Sequence, residues 1–66
     1  MYLVSKNGKK LFFQVFSEGR EKDVFVVSQE DDELYAGTSF YMAWKHVMDV
    51  MGRSILLPKQ LEKYLG

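Results

Sequence analysis

The dipeptide Asn7-Gly8 constrains this chain most, because it separates two runs of strand-forming residues. Asn and Gly both tolerate positive φ, so the pair is a strong local signal for a tight β-hairpin. We expect strands over about 2–6 and 9–17, joined by a two-residue turn. That turn predicts four cross-strand pairs: Lys6 with Lys9, Val4 with Leu11, Leu3 with Phe12, and Tyr2 with Phe13.

Further strand signals follow the first hairpin. Residues 18–22 (EGREK) predict a charged loop, and residues 23–29 (DVFVVSQ) predict a third strand because they are rich in β-branched and aromatic side chains. The acidic run 30–33 (EDDE) predicts a polar turn. A short fourth strand is expected over 34–36.

The hydrophobic period then changes from that of a strand to that of a helix. Apolar side chains recur at i, i+4, i+7, i+8 and i+11 in Phe40, Trp44, Val47, Met48 and Met51. The segment Gly37-Thr38-Ser39 supplies an N-cap hydroxyl, and Gly52 with Arg53 supplies a stop, which predicts a helix over about 39–51. Pro58 suits the first position of a second, short helix over about 58–65.

These elements predict one small α+β domain over residues 1–66. It would be a three- or four-stranded antiparallel β-meander packed against one amphipathic helix, with a short C-terminal helix. At 66 residues, a core supplies only about 3–5 kcal/mol of net stability. The chain has no Cys to add disulfides or thiolate metal sites. No apolar run is long enough for a membrane span and the N-terminus lacks a secretory pattern, so we predict a cytoplasmic chain without a membrane partner.

The predicted sheet has apolar side chains on both faces. With a two-residue turn, one face of the first hairpin carries Tyr2, Val4, Leu11, Phe13 and Val15, and the other carries Leu3, Phe12 and Phe16. One main helix covers only one face of so small a sheet. Unless the strands pair in another register, two alternatives stay open for the second face. Either the C-terminal segment with Ile55, Leu56, Leu57, Leu61 and Leu65 wraps it, or it is exposed for a protein partner or a second copy.

Candidate chemistry is sparse. His46 with Asp49 is the only acid–base pair at helical spacing, and no nucleophile motif or oxyanion site accompanies it. The acidic run 30–33 lacks the spacing and the Gly of a calcium loop. We therefore expect no enzyme, no catalytic residues, no cofactor and no metal site.

The lysines of the first hairpin suggest an alternative function. Lys6, Lys9 and Lys10 lie close to aromatic side chains, which suits phosphate contact with base stacking. The formal net charge of zero, however, argues against a general polyanion binder.

The order of strands followed by Gly37-Thr38-Ser39 and then Ala43 on a helix loosely resembles two families. These are HicB-type antitoxins and the arm-binding domains of phage-type integrases. The resemblance covers about seven residues. The acidic pair usual before that Ala is replaced here by Tyr41-Met42, so no functional residues are carried over.

The sequence therefore favours a non-enzymatic protein-binding module or small regulatory protein, of a phage or mobile-element type. It would act through an apolar sheet face carrying Leu3, Phe12 and Phe16, with Tyr41 as an additional contact. Its partner is expected to be another protein or a second copy, as in a homodimer. The alternative is a small nucleic-acid-binding domain that uses Lys6, Lys9 and Lys10.

Overall fold

A computed structural model describes residues 1–17, 19 and 22–65. The order of elements is four strands, one α-helix and a short 3₁₀ helix. They are β1 (Tyr2–Val4), β2 (Lys10–Phe16), β3 (Val24–Gln29), β4 (Asp32–Gly37), α1 (Phe40–Met51) and the C-terminal 3₁₀ helix (Lys59–Tyr64). This confirms the predicted α+β fold, with a fourth strand that is longer than expected. The loop prediction for Glu18, Arg20 and Glu21 lies outside the described residues.

The four strands form one antiparallel sheet in the order β1-β2-β3-β4. In such a meander, consecutive connections alternate between the two ends of the sheet. The β1–β2 hairpin and the β3–β4 turn therefore lie at the same end, which we call the hairpin end. The β2–β3 connection lies at the other end.

The register predicted for the first hairpin is wrong by one residue. Leu3 pairs with Leu11 and Tyr2 pairs with Phe12, so the loop contains three residues, Lys6-Asn7-Gly8. The Gly8 N–H donates to the carbonyl oxygen of Ser5 at 3.0 Å, and Gly8 has φ +82°. Ser at the first position and Gly at the fourth suit a type I turn, and a left-handed Gly completes a three-residue hairpin loop.

This shift has a large consequence, because side chains alternate between the two faces of a strand. A slip of one residue moves every side chain of β1 to the opposite face relative to β2. Leu3 therefore joins Leu11 and Phe13 on the helix side of the sheet, and Tyr2 and Val4 join Phe12 on the other side.

The β3–β4 pairing contains a bulge. Val27 pairs with Tyr35 and Ser28 pairs with Glu33, which leaves Leu34 as an extra residue. Both Leu34 and Tyr35 consequently pack against the core. The acidic run that was predicted as a turn is divided here, since Glu30 and Asp31 form the turn and β4 begins at Asp32.

The α1 helix runs over Phe40–Met51, and the predicted range was about 39–51. The Ser39 hydroxyl accepts from the Met42 N–H at 3.1 Å, and the N–H of Gly52 closes the other end on the Met48 carbonyl oxygen at 2.8 Å. The helix buries Ala43, Val47 and Met51 against the sheet. The buried face of α1 therefore centres on Ala43 and Val47, whereas the predicted apolar face included Met48, which is only half-buried.

The core lies between the sheet and α1. Its buried side chains are Leu3, Leu11, Phe13, Phe25, Val27, Ala43, Val47, Met51 and Leu61. Ile55, Leu57 and Tyr64 of the C-terminal segment pack against this same cluster. The alternative in which the C-terminal segment wraps the second sheet face is therefore wrong.

Candidate functional site

The sheet surface that faces away from α1 is the candidate site, and we call it the outer face. It follows from the register, because alternate residues of each strand point away from the core. Its apolar side chains are Tyr2, Val4, Phe12, Phe16, Val24, Val26 and Ala36. Lys10, Gln14, Ser28 and Glu33 are its polar members.

The outer face is apolar and open to solvent. Tyr2 is 71% exposed and Phe16 is 46% exposed, and Val4 is also exposed. The Tyr2 and Phe12 rings lie 4.7 Å apart between centroids, so they form a cross-strand aromatic pair on this surface. Val24 and Val26 extend the apolar surface onto β3, where they are half-buried by their neighbours.

An antiparallel sheet that is covered on one side normally carries polar residues on its solvent side. Here two apolar groups lie on the solvent side, Tyr2 with Phe12 and Phe16 with Val24 and Val26, and the polar residues Gln14 and Ser28 lie beside them. Contiguous exposed apolar surface of this kind is typical of protein interaction sites. Large aromatic side chains also supply most of the binding energy at protein interfaces.

The structure separates the residues that the sequence placed together. Phe12 and Phe16 lie on the outer face, but Leu3 is buried in the core on the helix side. The reason is the three-residue hairpin loop described above. Tyr41 is 75% exposed on α1, on the opposite side of the molecule from Phe12 and Phe16.

Sequence reasoning missed five apolar members of the outer face: Tyr2, Val4, Val24, Val26 and Ala36. The signal that locates Tyr2 and Val4 is present in the sequence, because Ser5 and Gly8 occupy the first and fourth positions of a type I turn. Val24 and Val26 follow once Phe12 is placed on the outer face, since Phe12 pairs with Ser28 and alternate β3 residues share its side.

Charges of opposite sign meet at the hairpin end. The exposed residues Lys6, Lys9 and Lys10 lie on the β1–β2 side, and the acidic run 30–33 lies on the β3–β4 side. A shallow depression is lined by residues of both, including Lys10, Phe12 and Glu30. The hairpin end is thus basic on one side and acidic on the other.

The three hairpin lysines do not share one direction. Lys9 reaches to the helix side, where its Nζ donates to the Val50 carbonyl oxygen at 3.3 Å near the C-terminus of α1. Lys10 belongs to the outer face by its place in β2. The nucleic-acid alternative stays a prediction, and the neighbouring carboxylates reduce the positive potential that it needs.

His46 lies away from the outer face. Its ring stacks on Tyr35 at 5.5 Å between centroids, and the Tyr35 hydroxyl accepts from the Ser39 N–H at 3.2 Å. The Tyr35 side chain thus contacts α1 at its N-cap, through Ser39, and at its middle, through His46. Asp49, its candidate acid–base partner, is exposed.

A polar cluster attaches the C-terminal 3₁₀ helix to the sheet. The Asp23 carboxylate accepts from the Ser17 hydroxyl at 2.8 Å and from the Tyr64 hydroxyl at 3.0 Å. The hydrogen bond from Ser17, followed by that from Tyr64, lowers the pKa of Asp23 below its ordinary value of 3.8. Desolvation, followed by the hydrogen bond to Asp23, raises the pKa of Tyr64 above 10.0.

Within the described part of the chain, no group of three or more His, Asp or Glu side chains could hold a metal ion. None of the helices there is long and apolar enough to cross a membrane. Comparison of the chain with protein-family models, curated proteins and solved structures finds no match. The outer face therefore has to be interpreted from its own geometry.

Proposed function

We propose that this chain is a non-enzymatic protein-binding module that docks through its outer face. The observation that carries the proposal is that the outer face is apolar while the C-terminal segment packs on the other side of the sheet. The apolar side chains of α1 and of the C-terminal segment pack on the helix side of the sheet. The outer face is left for another polypeptide.

The residues of the outer face suit this role energetically. Removing apolar surface from water contributes about 25 cal/mol per Å², and a fully buried aromatic side chain contributes about 1.5–3 kcal/mol. Tyr2, Phe12 and Phe16 supply three aromatic rings on a rigid sheet, so little side-chain ordering is needed on binding. Lys10 and Glu33 lie at the margin, where charges favour the correct orientation of a partner.

Site-specific photo-crosslinking in cells that express the chain tests this proposal. A benzophenone-bearing phenylalanine analogue is introduced at Phe16, and a matched control carries it at Tyr41, which is more exposed but lies on α1. We expect one polypeptide adduct from the Phe16 position and none from the Tyr41 position. The captured polypeptide should then bind the purified chain, and binding should be lost in Phe12→Asp. Equal labelling at both positions, or none at either, would contradict the proposal.

A further inference from the structure

The shape of the molecule indicates how much surface remains to be covered. The chain exposes 5077 Å², whereas a folded monomer of 7.7 kDa exposes about 4,300 Å². The excess of about 750 Å² is close to the roughly 800 Å² that each partner contributes to a standard protein interface. The molecule is also thin, with extents of 38 × 27 × 17 Å.

A second layer over the outer face would remove part of this surface from water and would thicken the molecule. Two sheets that pack face to face lie about 10 Å apart with their strands within about 30° of each other. The formal net charge of zero means that two copies do not repel each other at long range. An identical sheet presents the same exposed aromatic and β-branched side chains, so one outer face can cover another.

The charges of the hairpin end select one arrangement. A twofold axis parallel to the strands, between β2 and β3, sets β1 of one copy over β4 of the other and keeps both hairpin ends together. Lys6 and Lys10 of each copy then lie over the acidic turn of the other, and symmetry makes this contact twice. An in-plane axis across the strands would instead set each hairpin end over the β2–β3 connection.

We propose that the occupant of the outer face is a second copy of this chain, packed face to face about a twofold axis parallel to the strands. The basic side of each hairpin end lies over the acidic side of its partner's. This rests on the proposed function and names its partner. The dimer is a four-layered body of helix, sheet, sheet and helix with both apolar faces buried.

Charge reversal with complementation tests this arrangement by sedimentation equilibrium. A basic-to-acidic variant combines Lys6→Glu with Lys10→Glu, and an acidic-to-basic variant combines Glu30→Lys with Glu33→Lys. The basic-to-acidic variant should weaken self-association by about tenfold to a hundredfold, because both contacts become repulsive. The acidic-to-basic variant should weaken it less, because Asp31 and Asp32 remain and the acidic run becomes formally neutral. An equimolar mixture should associate more tightly than either variant alone, because one contact of the mixed dimer keeps its native charges and the other is no longer repulsive.

A control pair with the same net charges separates local contacts from overall attraction. One control variant combines Lys45→Glu with Arg53→Glu, and the other combines Asp49→Lys with Glu62→Lys. All four positions are exposed and lie away from the outer face. Each control variant should self-associate nearly as the wild type does. If the control variants dissociate as strongly as the hairpin-end variants, the proposed charge contacts are wrong.

The remaining outcomes distinguish this inference from the proposed function. In one outcome, Phe16→Lys abolishes self-association but the mixture of the two charge-reversal variants associates no better than either variant alone. That outcome overturns the twofold arrangement and leaves protein binding through the outer face intact. A wild-type chain that stays monomeric overturns the second copy, and the crosslinking experiment then decides on another protein. Circular dichroism of every variant shows that the fold is retained, and Phe16→Lys is used because Phe16 is the more exposed of the two outer-face phenylalanines.

Discussion

Leu61 provides the sharpest test of whether the C-terminal segment packs into the core. Its side chain is 2% exposed within the core, whereas Leu65, four residues later, is 67% exposed. Leu61→Ala removes the equivalent of three methylene groups, or about 2.4 kcal/mol of transfer free energy. The cavity that remains raises the expected loss to about 3–5 kcal/mol.

A loss of that size approaches the whole stability expected for a chain of this length, which is about 3–5 kcal/mol. Thermal unfolding followed by circular dichroism at fixed concentration should therefore show a Tm lowered by more than about 12 °C, or no transition at all. The matched variant Leu65→Ala should change the free energy of unfolding by less than about 0.5 kcal/mol. Comparable losses for the two variants, or a small loss for Leu61→Ala, would refute the packing described here.

Three further predictions concern local structure. Glu30→Gly should raise the free energy of unfolding by about 0.5–1 kcal/mol in urea titrations, because Glu30 has φ +54° and Gly adopts positive φ without strain. Ser39→Ala should lower it by about 1 kcal/mol in the same assay, since the Met42 N–H loses its acceptor. The Tm difference between Tyr64→Phe and the wild type should be largest at neutral pH and should decrease at both low and high pH. The lowered pKa of Asp23 makes its contribution present above pH 3.8 and lost as the pH falls through the folded pKa. The raised pKa of Tyr64 makes its contribution present below pH 10.0 and lost as the pH rises through the folded pKa. A Tm difference that is constant with pH would exclude this hydrogen bond.

Local signals were enough to predict the fold. Strand, turn and cap residues act within a few positions of each other, so the order of elements and the limits of α1 follow from the sequence. The fourth strand runs over Asp32–Gly37 and so extends beyond the predicted 34–36 at both ends.

The face of each strand was harder to predict, because it depends on a single residue of loop length. Asn7-Gly8 suits a two-residue turn, but Ser5 and Gly8 together suit a three-residue loop, and the structure adopts the latter. That one difference moves Leu3 into the core and brings Tyr2 to the outer face. The sequence also left open which sheet face the C-terminal segment covers, because Leu61 and its neighbours are apolar whichever side they pack against.

The mass of the chain in solution tests the central claim most directly. Sedimentation equilibrium should be measured across concentrations from micromolar to millimolar, for the wild type and for Phe16→Lys. We expect the wild-type mass to rise from 7.7 kDa towards twice that value, and the variant to remain at the monomer mass while keeping its fold. A wild-type mass of 7.7 kDa at every concentration would contradict the account of the outer face as an interface between two copies.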